Sequence, residues 1–245
     1  MKTLLLFVLA SCLVGLPAQI QATYDSILKV HVNKSGKVDY NALKRDSNIV
    51  NTYCALLTSN PLSDSCSEAE KLCYWINTYN AFTLKLIIDN YPIKSITDLH
   101  PTISIPGISR VWHRKFFEIN GEPFSLDRIE HKVLRTEFKE PLIHFAINCA
   151  SLSCPCLKNS TYKPQTLDQD LEKAVRQFLS DSSKNIITPN ELQLSAIFNW
   201  FETDFEKEGG VIAFIQKYTS IKLKKNISLM YLKYNWKLND SKAHL

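Results

Sequence analysis

Glycine is scarce in this chain, with six among 245 residues. That scarcity leaves no glycine-rich cradle for a phosphate and no G-x-S-x-G elbow for a serine nucleophile. No H-E-x-x-H and no paired C-x-x-C units occur, so the sequence offers neither a zincin helix nor a four-thiol metal site. No metal and no cofactor is implied, and nothing calls for a nucleotide or flavin. Beyond the N-terminus no apolar run approaches the length of a membrane helix. The formal charge of +5 is small for this length, and Lys222, Lys224 and Lys225 form the single tight basic cluster. A solvated face explains that cluster, and no nucleic-acid signature accompanies it. Repeats, low-complexity tracts and Gly/Ser linkers are also missing, which favours one large domain with a sizeable core. Oligomeric state is left open.

The N-terminus reads as a secretory leader. Lys2, the apolar stretches Leu4 to Leu9 and Leu13 to Leu16, and a small-residue exit near Ala18 or Ala22 define a signal peptide over residues 1–22, with the mature chain at 23–245 beginning near Thr23. Leu9-Ala10-Ser11-Cys12 also has the look of a bacterial lipobox, which would make the chain a lipoprotein instead. Asn33-Lys-Ser, Asn159-Ser-Thr, Asn226-Ile-Ser and Asn239-Asp-Ser are glycosylation sequons if the host is eukaryotic, in keeping with a secreted or lumenal protein. With Cys12 removed, six cysteines remain: Cys54, Cys66, Cys73, Cys149, Cys154 and Cys156. An even number in a secreted chain points to disulfides, and six allow fifteen full pairings.

Apolar periodicity organises the rest. Tyr24 to Val32 is amphipathic, and a segment from Val38 runs toward Leu57 before Asn60-Pro61 interrupts it. Ser67 and Glu70 form a capping box for a helix reaching about Asn90, stopped at Tyr91-Pro92. Leu72, Trp75, Ile76, Tyr79, Phe82, Leu86 and Ile87 make one face of that helix, while Tyr74, Ala81, Leu84 and Ile88 make the other apolar too. A helix apolar on both sides is a buried central helix, so Glu70, Asn77 and Asn80 on it need partners. Ile103 to Val111 and Lys115 to Ile119 have strand or extended character, and Asn120-Gly121 signals a turn. Ser125 caps a short helix over about Leu126 to Arg135. Leu142 to Asn148, after Pro141, has strand propensity. Thr166 and Gln169 form a second capping box before a helix over Leu167 to Leu179. Ile186-Ile187 and Leu192 to Leu194 make a hairpin, Ala196 to Phe205 and Val211 to Tyr218 are helices parted by Gly209-Gly210, and Ile227 to Trp236 closes as a strand. Helices and strands mix without regular alternation, which gives an α+β class: a buried central helix packed on a mainly antiparallel sheet.

Several motifs stand out: Glu70-Lys-Leu-Cys-Tyr-Trp-Ile-Asn-Thr-Tyr-Asn80, Ser125-Leu-Asp-Arg-Ile-Glu-His131, His144-Phe-Ala-Ile-Asn-Cys-Ala-Ser-Leu-Ser-Cys-Pro-Cys156, Trp200-Phe201 with Asp204-Phe205, and Tyr234-Asn-Trp-Lys-Leu-Asn239. Together, over roughly residues 37 to 239, they resemble the DUF547 family. The resemblance implies a papain-like core and a papain-like cysteine hydrolase, although fold alone does not fix function. In the family pattern the positions of Cys149 and Cys154 commonly carry cysteine. The resemblance thus implies that Cys54, Cys66, Cys73 and Cys156 are additions suited to two bridges, Cys54 to Cys66 and Cys73 to Cys156. A Cys149 to Cys154 bridge, or a small Cys154 to Cys156 ring, is the alternative.

A cysteine hydrolase needs a thiolate, an imidazole to carry its proton, and a carboxylate or amide to orient the ring. Cys149 is the preferred nucleophile, with backbone N–H groups of Ala150 to Ser153 nearby for an oxyanion. His131 is the first choice of base and His144 the second, because in a regular strand His144 and Cys149 point to opposite faces. Glu70 is the expected orienting carboxylate. Asn77, Asn80, Asn148, Ser151 and Cys154 support the site, whereas Glu130 points along an awkward direction. Trp75, Trp112, Trp200 and Phe201 either wall a cleft or fill a core. The expected function is a secreted cysteine-dependent hydrolase or acyltransferase that cleaves a peptide or amide-type bond through a thioester. Its rivals are a noncatalytic extracellular binding module and a thiol-disulfide protein using Cys149 with Cys154.

Overall fold

The computed structural model describes residues 18–101 and 110–242. The expected leader and lipobox lie mostly outside these residues. Residues 18–22 open the first helix, α1 (Ala18–His31), which runs without a break through the expected cleavage point. Two further helices follow, α2 (Tyr40–Arg45) and α3 (Ser47–Ser59), and they lead into α4 (Glu68–Asn90).

The sequence dictates α4 directly. Ser67 Oγ accepts from the Glu70 N–H, and Glu70 Oε2 accepts from the Ser67 N–H at 2.9 Å. At the other end, the Tyr91-Pro92 step stops the helix, since a proline disfavours helical geometry in the residue before it. Both faces are buried as expected, but α2, α3 and a later helix surround α4 more than any sheet does. Its contact with strands is local: Phe82 stacks on Phe117 at 3.8 Å and Trp75 on Phe124 at 5.5 Å. Those partners belong to a small antiparallel hairpin, β1 (Phe117–Ile119) and β2 (Glu122–Phe124). Asn120 and Gly121 join the strands at φ 55° and 73°, the left-handed pair that a two-residue hairpin turn needs.

Downstream, one expected element is present in altered form and another is corrected. Residues 126–138 are helical, and from Arg128 to Phe138 the helix is of the wide i→i+5 kind, a form that recurs at functional sites. Ser125 Oγ accepts from the Arg128 N–H at 3.1 Å, so the expected cap is present. Residues 142–148 are not a strand. Pro141–Phe145 is a turn of 3-10 helix, with Pro141 in its first turn and Glu140 accepting from the Leu142 N–H. The apolar run that resembled a strand divides between two cores, Ile143, Ala146 and Ile147 facing the α1–α4 cluster and Phe145 facing a second cluster. The expected strand over Ile103 to Val111 lies mainly outside the described residues, and its last residue opens a 3-10 turn, Val111–His113.

The second cluster is built by α5 (Leu167–Ser180), a three-stranded sheet of β3 (Ile186–Ile187), β4 (Glu191–Ser195) and β5 (Ser228–Leu232), and the helices α6 (Ile197–Trp200) and α7 (Val211–Tyr218). β3 and β4 are antiparallel, whereas β5 joins β4 in parallel register, so the strands form two small sheets in an α+β fold. Helix α5 forms without the capping box read from Thr166 and Gln169: the Thr166 hydroxyl bonds Asp170 instead.

The cysteines depart from the implied bridges. Cys54, Cys73 and Cys156 are free, so neither Cys54–Cys66 nor Cys73–Cys156 forms. Of the four sequons, Asn239 is buried and its side chain bonds Tyr40 and Gly36, which leaves no room for a glycan.

Candidate functional site

The polar groups of α4 position the site. Asn80 donates to Ala146 O and accepts from Asn148 N, each at 2.9 Å. Asn77 makes the same two-way clamp on the Tyr162 backbone. Both are buried structural clamps, and Asn80 fixes where residues 146–148 turn toward Cys149. Asn148 continues the job, donating to Pro155 O at 2.6 Å and accepting from Ala150 N at 2.8 Å. Ala150 is held at φ 62°, a left-handed conformation unusual for a residue with a Cβ. From the far side residues 235–239 clamp the loop: Leu152 N bonds Lys237 O, Ser153 N bonds Asn235 O and Asn239 N bonds Ala150 O. The expected oxyanion donors are therefore already engaged, Ala150 N within the loop and Leu152 N and Ser153 N on residues 235–237.

Cys149 and Cys154 are disulfide-bonded, with Cα atoms 6.3 Å apart. Tyr234 Oη lies 3.3 Å from Cys149 Sγ and 3.2 Å from Cys154 Sγ, and the buried Ser151 hydroxyl reaches Tyr234 Oη at 3.0 Å. Cys149 lines a hollow of about 570 Å³ that His131, His144, Glu130, Asp127 and Arg135 also line. The wall is completed by Tyr79 and by aromatic rings that include Trp112, Trp200, Phe201 and Trp236. Trp75 is not among them; it packs on Phe124. Glu70 is not among them either. It closes its capping box at the start of α4, and Asp204 provides the carboxylate at an imidazole instead.

Asp204 is not itself in the lining, but it bonds two residues that are, Arg135 and His144. Arg135 grips the carboxylate with two bonds, Nε to Oδ2 at 2.6 Å and Nη2 to Oδ1 at 2.8 Å. His144 Nε2 lies 2.6 Å from Asp204 Oδ2. Burial pulls the Asp204 carboxyl upward, but the bonds from Arg135 and His144 overcome it and hold the group below the usual carboxylate range. Burial lowers the pKa of His144, with the Asp204 bond opposing. The ring is thus neutral at pH 7, carries its proton on Nε2 toward Asp204, and leaves Nδ1 as a bare lone pair. That Nδ1 is buried with no hydrogen-bond partner, and the ring stacks on Phe201 at 4.0 Å.

His131 is differently employed. Its Nδ1 faces Arg135 Nη1 at 2.9 Å and its Nε2 lies 3.6 Å from Asp127, which also sits 3.4 Å from His113. With both nitrogens facing partners, His131 has less claim to be a base than His144. His144 sits in a 3-10 turn, so strand parity does not set its ring away from Cys149. Glu130 points into the same hollow and accepts from Tyr79 Oη at 3.3 Å. Burial pushes its carboxyl up to about 7, against the Tyr79 bond and Arg135. Burial also pushes the Cys54 and Cys73 thiols up to about 12, which keeps them protonated and unreactive.

Asp204, Trp200 and Tyr234 stand in motifs of the sequence, but nothing local to them assigns the first or last a role. Arg135 and Tyr79 enter the site through long-range contacts, to Asp204 69 positions away and to Glu130 51 positions away, which no local pattern announces. Among the described residues no group of three or more His, Cys, Asp or Glu is placed to hold a metal ion, and no helix is long and apolar enough to cross a membrane. No curated protein and no solved structure matches the chain, so nothing in these comparisons bears out a papain-like relationship. Residues 63–179, which hold α4, the wide helix and the Cys149 loop, match the family model described as "Protein of unknown function, DUF547", and across them the chain carries a domain of the DUF547 family.

Proposed function

We propose that the reduced protein is a cysteine-dependent acyl hydrolase or acyltransferase, with Cys149 as nucleophile, His144 as base and Asp204 as the group that orients it. The observation that carries this reading is the His144–Asp204 pair: a buried, neutral imidazole with one nitrogen tied to a carboxylate and the other without a partner, lining the hollow that Cys149 lines. A nucleophile, a base and an orienting carboxylate are the parts this chemistry needs.

The disulfide sets the starting condition. A dithiol reductant exchanges with the Cys149–Cys154 bond, becoming a disulfide itself and leaving two thiols. His144 Nδ1 then takes the Cys149 proton, and the thiolate attacks the carbonyl carbon of a peptide or amide-type bond. The amine leaves with the proton from the imidazolium, and a thioester remains on Cys149. Water or a second amine, deprotonated by His144, attacks that thioester and returns the cysteine. Tyr234 Oη, close to the sulfur, is the donor we assign to the oxyanion, together with the Cys149 N–H once its 3.0 Å contact with Cys154 Sγ opens.

A second reading rests on the disulfide itself: a thiol-disulfide protein that uses Cys149 with Cys154. One experiment separates the two. The protein is treated with a chloroacetamide-type electrophile and a fluorogenic peptide amide, with and without dithiol. The hydrolase reading expects labelling of Cys149 only after reduction, loss in Cys149→Ala, a fall of 10²–10⁴ in His144→Ala, and a much smaller fall in His131→Ala. Cys154→Ala would keep hydrolysis but abolish disulfide exchange with an added protein disulfide. Exchange without hydrolysis supports the redox reading. A Cys149 thiol that stays inert after reduction leaves a noncatalytic binding module.

A further inference from the structure

We propose that the hollow contains a stacking subsite for a flat-faced ring on the substrate, with Trp200 as its floor and Tyr234 and Trp236 beside it. This deepens the acyl-transfer reading by naming the substrate class: an acyl compound that bears a ring close to the bond cleaved.

Three of the chain's four tryptophans line this one hollow: Trp112, Trp200 and Trp236. They form a continuous run with Tyr234. Trp112 and Trp236 have centroids 5.3 Å apart, Trp236 and Tyr234 4.4 Å, and Tyr234 and Trp200 4.7 Å. Trp200 and Trp236 are near parallel, at 18° and 5.8 Å. Rings in cores are covered, yet Trp200 is 46% exposed and is the only aromatic among the exposed large hydrophobic side chains of the described residues. Holding an indole open to water forfeits part of the stabilisation that its burial would give. Trp200 is at the same time part of the lining of the hollow that holds the candidate nucleophile.

Tyr234 fixes the distance. Its hydroxyl touches Cys149 Sγ at 3.3 Å while its ring packs against Trp200. Trp200 is therefore within about three residue lengths of the sulfur, at roughly 3.5 Å per extended residue. The same lining also carries the polar groups Arg110, Asp127, Glu130 and His131. A ligand that fits has one flat apolar face for the indoles and polar groups, such as an amide, for these residues. An aryl side chain of a peptide and the C–H face of an N-acetylated sugar share that chemistry.

Ligand-observed saturation-transfer NMR on the full chain tests this without relying on turnover. The probes are N-acetylphenylalanine amide, N-acetylalanine amide and N,N′-diacetylchitobiose, each titrated against oxidised and reduced protein. Saturable binding of the phenylalanine amide or the chitobiose, with little for the alanine amide, is expected. Whichever ring binds identifies the source. Trp200→Ala should weaken that binding about tenfold, and Trp200→Phe should restore part of it; thermal melts of both variants confirm that they fold. Equal binding of all three probes, or affinity unchanged in a folded Trp200→Ala, overturns the subsite. Binding in either thiol state together with no Cys149 reactivity would refute the hydrolase and leave the subsite standing. Reactive Cys149 with no ring preference would do the reverse.

Discussion

Glu130 gives the sharpest test of the electrostatics of the hollow. Its carboxyl is half-buried, and burial raises it from an ordinary 4.5 to about 7 despite the Tyr79 bond and the nearby Arg135 guanidinium. The folded chain thus binds this proton more tightly than the unfolded chain. Between pH 4.5 and 7 the folded state holds more protons, so raising the pH through that window lowers stability, and the loss is complete above it. At about 1.36 kcal/mol per pH unit, the move from 4.5 to about 7 corresponds to roughly 3 kcal/mol. Discounted for the solvent that reaches the side chain, about 1–3 kcal/mol is expected. Glu130→Gln removes the ionisation while keeping an oxygen to accept from Tyr79. The variant should match the wild type below pH 4 and exceed it above pH 8. Each kcal/mol is worth about 2–4 °C in a chain of this size, so the advantage in melting temperature should grow by about 2–12 °C across that range. Differential scanning calorimetry in a pH series measures it. A difference that stays flat with pH, or that favours the wild type above pH 8, would refute the assignment of a buried, reluctant acid at this position.

Asp204→Ala removes the carboxylate that holds Arg135 and His144 and should cost about 3 kcal/mol in urea unfolding; a cost under about 0.5 kcal/mol would mean that the network is ornamental. Because Asp204 is held below the usual carboxylate range, its contribution is present above about pH 4 and is lost as pH falls further, so the Asp204→Ala deficit should shrink in acid. Asn80→Ala strands Ala146 O and Asn148 N in the core. It should cost about 2–4 kcal/mol and slow electrophile labelling of reduced Cys149, and a stable variant with normal labelling would free the loop from α4. Gly36 has φ +72° and an added Cβ would meet Leu157 N at 2.5 Å and Cys156 Cα at 2.6 Å. Gly36→Ala should therefore destabilise by more than about 2 kcal/mol, read by the shift of the denaturant midpoint.

The sequence by itself determined the elements whose causes are local. Ser67 and Glu70 cap α4 wherever the rest of the chain lies, two-faced apolarity commits that helix to the interior, and Asn120-Gly121 carries its own hairpin. It also marked the residues that gather in the hollow, Cys149, His131, His144 and Trp200 among them. Tertiary structure decided what these residues do to one another. The run at 142–148 has strand propensity, but Pro141 and the need to feed two separate cores turn it into a short helix, which reverses the preference between His131 and His144. Glu70 was a plausible carboxylate until its own cap claimed it. Asp204 took the place at His144 through a bond that spans 60 positions. The cysteines followed the same rule: counting could not choose among the pairings, and the geometry of a loop clamped between α4 and residues 235–239 paired Cys149 with Cys154. Periodicity and capping depend on neighbours within a turn or two, whereas charge pairing, tautomer and thiol pairing depend on which distant groups the packed chain brings within 3 or 4 Å, and no local pattern encodes that.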